Sequence, residues 1–301
     1  MKWTKPPLGA QLNKGHPLAR GLVGAWLFNE GAGALGKAFD LSGNGNHGTL
    51  VGNTHSVPGK FGNTLSFDGA GDYVTMGDVS AMEGLSEITV SAWDKQNAPY
   101  LNGDYIIVSK MNPAYAETAT WALERIYSSG THYRLRFTAY ETDGSVATII
   151  TGWIVENGQW HNAVGVFNGT HLLLYEDGVE VATPVARTGN IQSTDTEVRI
   201  GTTHSGTHSY NGSIDDVMIW NRALTAGEIM SLYQEPFQMF QKTDWALFSA
   251  TMGIPAAGIG LQMNIGDAWK QIAGMQINIG DSWKAVIGAQ INIGDDWKEI
   301  F

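Results

Sequence analysis

The feature that most constrains this chain is its punctuation. Short runs of β-branched, aromatic and aliphatic residues are closed off by Gly, Asn or Asp before a helical period can be completed. Strand patterns fall at 22–28, 72–76, 88–93, 105–109, 132–140, 146–154, 161–167, 171–176, 197–201 and 214–220, with no long helical pattern between them. Asn168-Gly169 and Asp177-Gly178 are hairpin signals, because tight turns between strands need backbone in the left-handed region that these residues tolerate. The 38 glycines among 301 residues are nearly double the usual share of about 7%. A chain of many turns and few charged helix faces points to an all-β protein, a two-sheet antiparallel sandwich. One helix is expected late, where Thr225-Ala226-Gly227-Glu228 forms a capping box ahead of Ile229, Met230, Leu232 and Tyr233, and Pro236 stops it.

From Gly260 three copies of one 14-residue unit follow without a gap: GLQMNIGDAWKQIA, GMQINIGDSWKAVI and GAQINIGDDWKEIF. Met263/Ile265, Ile277/Ile279 and Ile291/Ile293 alternate with Asn264, Asn278 and Asn292, which is strand periodicity. A Gly-Asp pair then turns the chain, and Trp269, Trp283 and Trp297 restart it, so each unit is expected to be a hairpin. Three such units are too small to enclose a core. They must lean on each other, on the sandwich, or on sister chains, which makes these tryptophans assembly residues and the protein a homo-oligomer; a glycan-binding array is the other use of repeated Trp and Asn. The resulting organisation is an extended N-terminal arm (1–20), a sandwich (21–235), a linker (236–259) and a β-hairpin repeat module (260–301).

Charge and composition exclude several functions. A net charge of −11 argues against nucleic-acid binding, which needs a basic face. The absence of cysteine removes disulfides, thiolate metal sites and a Cys nucleophile. The first 29 residues carry Lys2, Lys5, Lys14 and Arg20 and no acid, so this arm either docks on an acidic neighbouring surface through Lys2 and Lys5 or is a solvated tail. No apolar stretch of about 7–15 residues marks a secretion signal near the N-terminus. Residues 245–266 are uncharged, but Gly253, Pro255, Gly258 and Gly260 interrupt them, so a linker is expected there and no membrane span.

Several strings occur in a telling order: GLVGAWLFNE at 21–30, DLSGNGNHGT at 40–49, LSFDG at 65–69 with DYV at 72–74, ITVSAW at 88–93, WH at 160–161, LYEDG at 174–178, YNGSIDDV at 210–217 and IWNRALT at 219–225. The series resembles the laminin-G-like branch of the concanavalin A-like lectin/glucanase jelly rolls over about residues 20–235. The lead-in KPPLG, QLN and HPL, followed after the jelly roll by PFQMF at 236–240, also resembles the layout of tailed-bacteriophage virion proteins. These resemblances imply a noncatalytic virion surface or tail protein, made in the host cytoplasm, with other virion proteins as partners and a jelly roll that grips a cell-surface glycan. A bacterial glycan-binding adhesin or carbohydrate-binding module is the alternative, and a glycoside hydrolase a further one.

Candidate site residues follow. Oxygen side chains at Asp40, Ser42, Asn44 and Asn46, interleaved with Gly, match the first half of a calcium loop or a turn held by Asx hydrogen bonds. The resemblance implies that Asp215 or Asp216, on the closing strand, completes a calcium site; strand alternation sends one to each face. Glycan contacts are expected at His204, His208 and Tyr210 in a polar loop and at Tyr100 and Tyr127 in turn-rich segments, whereas Trp26, Trp93 and Trp220 belong to the core. No strand carries the Glu-x-Asp-x-x-Glu pattern of the glucanases, and Glu176 to Glu180 fall on a turn, so no catalytic residues are expected.

Overall fold

The computed structural model describes residues 4–7, 10–30, 36–97, 103–112, 119–128, 132–155, 158–241 and, further on, 261–262, 271–272, 277–279, 290–293 and 296–299. The chain divides into two units, Met1–Gln241 and Lys242–Phe301.

The first unit is the expected antiparallel sandwich, a jelly roll of two nine-stranded sheets. The front sheet runs in the order Val146–Ile150, His132–Tyr140, Ala119–Ser128, Gly103–Met111, Val198–Ile200, Tyr73–Gly77, Gly48–Val51 and Lys37–Ala38, with Ile154–Val155 beside His132–Tyr140. The back sheet runs Val179–Glu180, His171–Glu176, His161–Phe167, Ile88–Gln96, Asn211–Trp220, Asn63–Asp68 and His55–Pro58; Val185–Ala186 pairs with His171–Glu176 and Leu22–Trp26 with Asn211–Trp220. Asp177 and Gly178 have φ of 50° and 81°, the left-handed pair that a two-residue hairpin demands.

Alternation sorts the side chains. Trp26, Phe67, Trp121, Leu135, Phe137, Val90 and Ile214 meet between the sheets. A Cβ on Gly165 would lie 2.4 Å from the Phe137 ring, so only glycine lets that ring pack across the sandwich. The outer face of the back sheet is buried too: Trp93, Val164, Val166, Met218 and Trp220 form a second core with Leu18, Phe61, Leu224, Ile229, Leu232 and Met239. Its cover is the helix Ala226–Gln234, whose Thr225–Glu228 capping box forms as expected, together with the segments on either side of the sandwich. Strands buried on both faces read as continuous apolar runs, as His161–Phe167 does.

This cover corrects the expected arm. Gln11–Leu12 pairs with Phe240–Gln241, Trp220 Nε1 donates to the Leu18 carbonyl (2.7 Å), and Arg222 donates to the carbonyls of Pro17 and Arg20. The N-terminal segment is therefore part of the sandwich, because its apolar residues cover back-sheet surface. Phe237, Met239 and Phe240, expected in a linker, are likewise buried.

In the second unit Leu261–Gln262 pairs antiparallel with Gln271–Ile272, and Gln290–Ile293 with Asp296–Glu299. Ile277–Ile279 instead runs parallel to Ile291–Ile293, each residue opposite its counterpart one repeat on. Trp297 lies on Asp296–Glu299, opposite Asn292, while Trp269 and Trp283 lie outside the described residues.

One charged group spans the core. Arg125, 1% exposed on the front sheet, donates to both oxygens of Asp94 (Nη2 to Oδ1, 2.8 Å) and to Glu176 Oε1 (2.9 Å), both on the back sheet. Tyr133 donates to Glu176 and Tyr210 to Asp94, each at 2.7 Å. Replacing Arg125 by Met strands two buried carboxylates and is expected to cost about 3–5 kcal/mol, measured by urea unfolding of the variant. A pH test lies at the helix start. The Arg222 hydrogen bond, outweighing burial and helped by the Thr225 amide, holds the Glu228 carboxyl down at about 2. With the folded value depressed, this contribution is full above an unfolded value of about 4.3 and vanishes as pH falls toward 2. The stability gap between wild type and Glu228→Gln is expected to close over that interval.

Candidate functional site

The back sheet is covered on its outer face, while a cavity of about 280 Å³ opens on the outer face of the front sheet. Ile106 and Met111, packed with Ala119 and Ala122, make its apolar floor, and Thr138, Tyr140, Val146 and Thr148 stand along its wall. Period-two alternation puts Glu124 and Arg136 there as direct cross-strand partners on Ala119–Ser128 and His132–Tyr140.

Arg136 is the centre of this polar cluster. Its Nε donates to Glu124 Oε1 (2.6 Å), and its Nη2 donates to Glu124 Oε2 and Asp104 Oδ2 (2.7 Å each). Burial alone would lower the guanidinium pKa, but the Glu124 and Asp104 bonds and charges carry it above its ordinary value. Glu124 is only 4% exposed and stays hydrogen-bonded. Desolvation and the Glu124 charge push the Tyr140 hydroxyl up against the opposing pull of Arg136, so it remains a neutral donor at pH 7. Two carboxylates face one guanidinium, and fixed polar groups thus surround an apolar floor, an arrangement that suits a hydroxyl-rich ligand with apolar ring faces.

The remaining wall comes from the polar loop at 202–209. Thr203 and His208 line the cavity, and the Ile106 amide donates to the His208 carbonyl (2.9 Å). His208 sits at φ 60°, in the left-handed region; the Thr202 and Thr203 hydroxyls, both bonded to the Thr207 carbonyl at 3.0 Å, tie the loop just before it. His204 turns toward Glu197 (4.0 Å). Two expected glycan contacts are corrected. Tyr210 is fully buried with its hydroxyl on Asp94, and Tyr127, 2% exposed, packs on Tyr105 and Tyr133 in the interior; inward alternation took both. Tyr100 lies outside the described residues, as does Lys2. Asp104, Glu124, Arg136 and Tyr140 were not expected. The signal was present as charge on alternate residues of 132–140, and it needed the unrecognised strand Ala119–Ser128 to supply the partners.

The predicted metal ligands hold the fold instead. Asp40 accepts from the amides of Ala25, Ser42 and Asn46 and from the Ser42 hydroxyl, while the Asn44 and Asn46 side-chain amides donate to the carbonyls of Leu22 and Val23. Asp215 and Asp216 do not alternate as expected. A bulge between Asp215 and Met218, with Asp216 at φ 46°, turns both carboxylates toward the Lys5 ammonium, which pairs with Asp215 and stands 3.7 Å from Asp216. Lys5, expected to reach a neighbouring surface, is consumed here. Burial raises both carboxyls, with the Asp216 charge adding to the rise at Asp215; Asp216 stands at about 6, and Lys5 opposes both shifts. Among the described residues no three His, Asp or Glu side chains converge as a metal site. A bonded-out Asp40 and an acid pair facing an ammonium do not fit a calcium shell. The melting temperature is accordingly expected to stay the same whether calcium or a chelator is added, read by calorimetry.

A second cavity of about 560 Å³, lined by Leu12, Lys14, Glu30, Phe39 and Leu41 among others, is mainly apolar. Burial raises the Glu30 carboxyl there despite its bond from the Phe39 amide. Among the described residues no helix is long and apolar enough to cross a membrane.

Comparison with known proteins bears on this geometry. The family described as concanavalin A-like lectin/glucanases superfamily matches residues 68–230, more than half of the chain. No curated protein sequence matches. Among solved structures, the binding domain of Paraclostridial Mosquitocidal Protein 1 is similar, with 17% identity, TM-score 0.57, and coverage of 73% of this chain and 53% of that one. Domain 4 of AbnA, a GH43 extracellular arabinanase from Geobacillus stearothermophilus in complex with arabinotriose, has 18% identity, TM-score 0.53, and coverage of 71% and 98%. The botulinum neurotoxin serotype D ligand binding domain in complex with N-acetylneuraminic acid has 13% identity, TM-score 0.57, and coverage of 72% and 51%. The chain spans about half the length of the toxin binding domains, and at these identities the likeness is one of fold.

Proposed function

The chain belongs to the concanavalin A-like lectin/glucanases superfamily, and on that premise we propose that it is a noncatalytic glycan-binding protein whose site is the front-sheet cavity. The observation that carries this reading is the cluster of Arg136, Glu124, Asp104 and Tyr140 above an apolar floor. Such a surface offers hydroxyl groups donors and acceptors fixed in advance, and preorganisation lowers the entropy cost of binding. Arabinotriose and N-acetylneuraminic acid bound to structurally similar proteins support a saccharide as ligand class. A catalytic role is disfavoured because both cavity carboxylates bond Arg136, with Glu124 held bidentate, leaving no acid and base poised around a scissile bond.

The setting we propose is the surface or tail of a bacteriophage virion, made in the host cytoplasm, where the jelly roll faces a cell-surface glycan. The lead-in strings and the repeats motivate this setting. With Lys5 inside the sandwich, attachment to other virion proteins and to sister chains falls to residues 260–301, Trp269, Trp283 and Trp297 included. A free bacterial adhesin remains the alternative.

Glycan-array binding by the purified protein, lost at least about tenfold on Tyr140→Ala with an unchanged melting temperature, is the expected result. Turnover of a polysaccharide abolished by replacing one acid would overturn the reading. The setting is tested by co-purification with particles: full-length chains are expected to attach and residues 1–241 are not.

A further inference from the structure

The same front-sheet face carries a second cation in a different state. Arg125, Arg136, Arg187, Arg199 and Arg222 each meet a carboxylate at 2.5–2.8 Å. Arg134, two residues from Arg136 on the same outward-facing row of His132–Tyr140, has no such partner among the described residues, and its Nε is buried without an acceptor. Its guanidinium lies 4.1 Å from the ring centre of Trp153, which is 46% exposed and so presents apolar ring surface to solvent beside the cation.

This arrangement is held in place. The Leu135 amide donates to Thr151 Oγ1 and the Thr151 amide to the Leu135 carbonyl, both at 3.0 Å, while Ile154 pairs with Tyr133. Trp153 is therefore pinned on both sides against the strand that carries Arg134. Stacking uses the flat face of a guanidinium and leaves its in-plane N–H donors for a planar acceptor such as a carboxylate. Two residues along a strand are about 7 Å, so Arg134 lies within the reach of an oligosaccharide whose next sugar occupies the cavity. In that cavity Arg136 is already matched by Glu124 and Asp104, which leaves no positive charge there for an acidic sugar.

We propose that Arg134, braced by Trp153, seats the carboxylate of an acidic sugar, while the Arg136–Tyr140 cavity takes its uncharged neighbour, so that the ligand is a glycan bearing a uronic or other carboxylated residue. This rests on the glycan-binding reading above. The acidic sugar stacks on the exposed part of Trp153, and charge pairing with Arg134 sets which end of the chain lies there.

The test uses the full-length protein and two matched pairs: galacturonic acid oligomers against their methyl esters, and sialyllactose against lactose, each by titration calorimetry. The acidic member of at least one pair is expected to bind about tenfold tighter than its neutral counterpart, a preference that shrinks with added salt. Arg134→Met is expected to erase that preference and leave neutral binding unchanged, Arg134→Lys to keep part of it, and Trp153→Ala to weaken both members, all with wild-type melting temperatures. Equal affinity for acid and neutral forms, or a preference that survives Arg134→Met, overturns the assignment while leaving the glycan site intact. Absence of binding by every glycan, neutral arrays included, overturns the underlying reading as well.

Discussion

The interaction on which the sandwich turns is the ionic brace through its core. Arg125 reaches from the front sheet to Asp94 and Glu176 on the back sheet, with Tyr133 and Tyr210 completing the bonds. Apolar packing alone brings two sheets to the usual spacing of about 10 Å but tolerates small slides. A bidentate guanidinium does not, because a buried charge that loses its partners is costly. The brace therefore defines how the strand Ala119–Ser128 stands relative to the back sheet, and the neighbouring residue, Glu124, inherits that position on the opposite face. The core and the candidate site are two sides of one strand.

A second consequence is the inequality of the sheets. The back sheet is covered by the helix, the N-terminal segment and the chain after the helix, so its central strands Ile88–Gln96, His161–Phe167 and Asn211–Trp220 are buried on both faces. The front sheet spends only one face on the core. Its outer face carries Thr138, Tyr140 and Thr148 beside charged residues, and a sheet with one wet face is where recognition can be built without disturbing packing. The N-terminal segment contributes through Lys5, whose ammonium enters where Asn211–Trp220 passes from pairing with Asn63–Asp68 to pairing with Leu22–Trp26. A bulge there turns two carboxylates inward together, and a cation from the chain itself compensates them.

Legibility differed by element. The strands His132–Tyr140, His161–Phe167 and His171–Glu176 were readable to the residue, since their alternation is regular or their apolar runs continuous and Gly-rich turns bound them. Ala119–Ser128 was missed: Glu124-Arg125 looks like a polar break, yet each side chain serves a different face. Gly48–Val51 and His55–Pro58 escaped because they are four residues long and only partly buried. The Thr225 capping box was legible because it is local, four residues satisfying one another. Tyr127 and Tyr210 were placed on the wrong side, since neighbouring turn residues say little about which face a strand buries.

Local patterning in the chain thus settled the all-β class, the turns, the helix start and the burial of Trp26, Trp93 and Trp220, because each depends on residues within a few positions of one another. Which charges meet could not be settled that way. Arg125 finds carboxylates 31 and 51 positions away, and Lys5 reaches across 210. Among the described residues Arg134 meets no carboxylate and lies beside an exposed Trp153. Such pairings follow from sheet order and register, which arise only when distant strands compete for partners and burial makes each unpaired charge expensive.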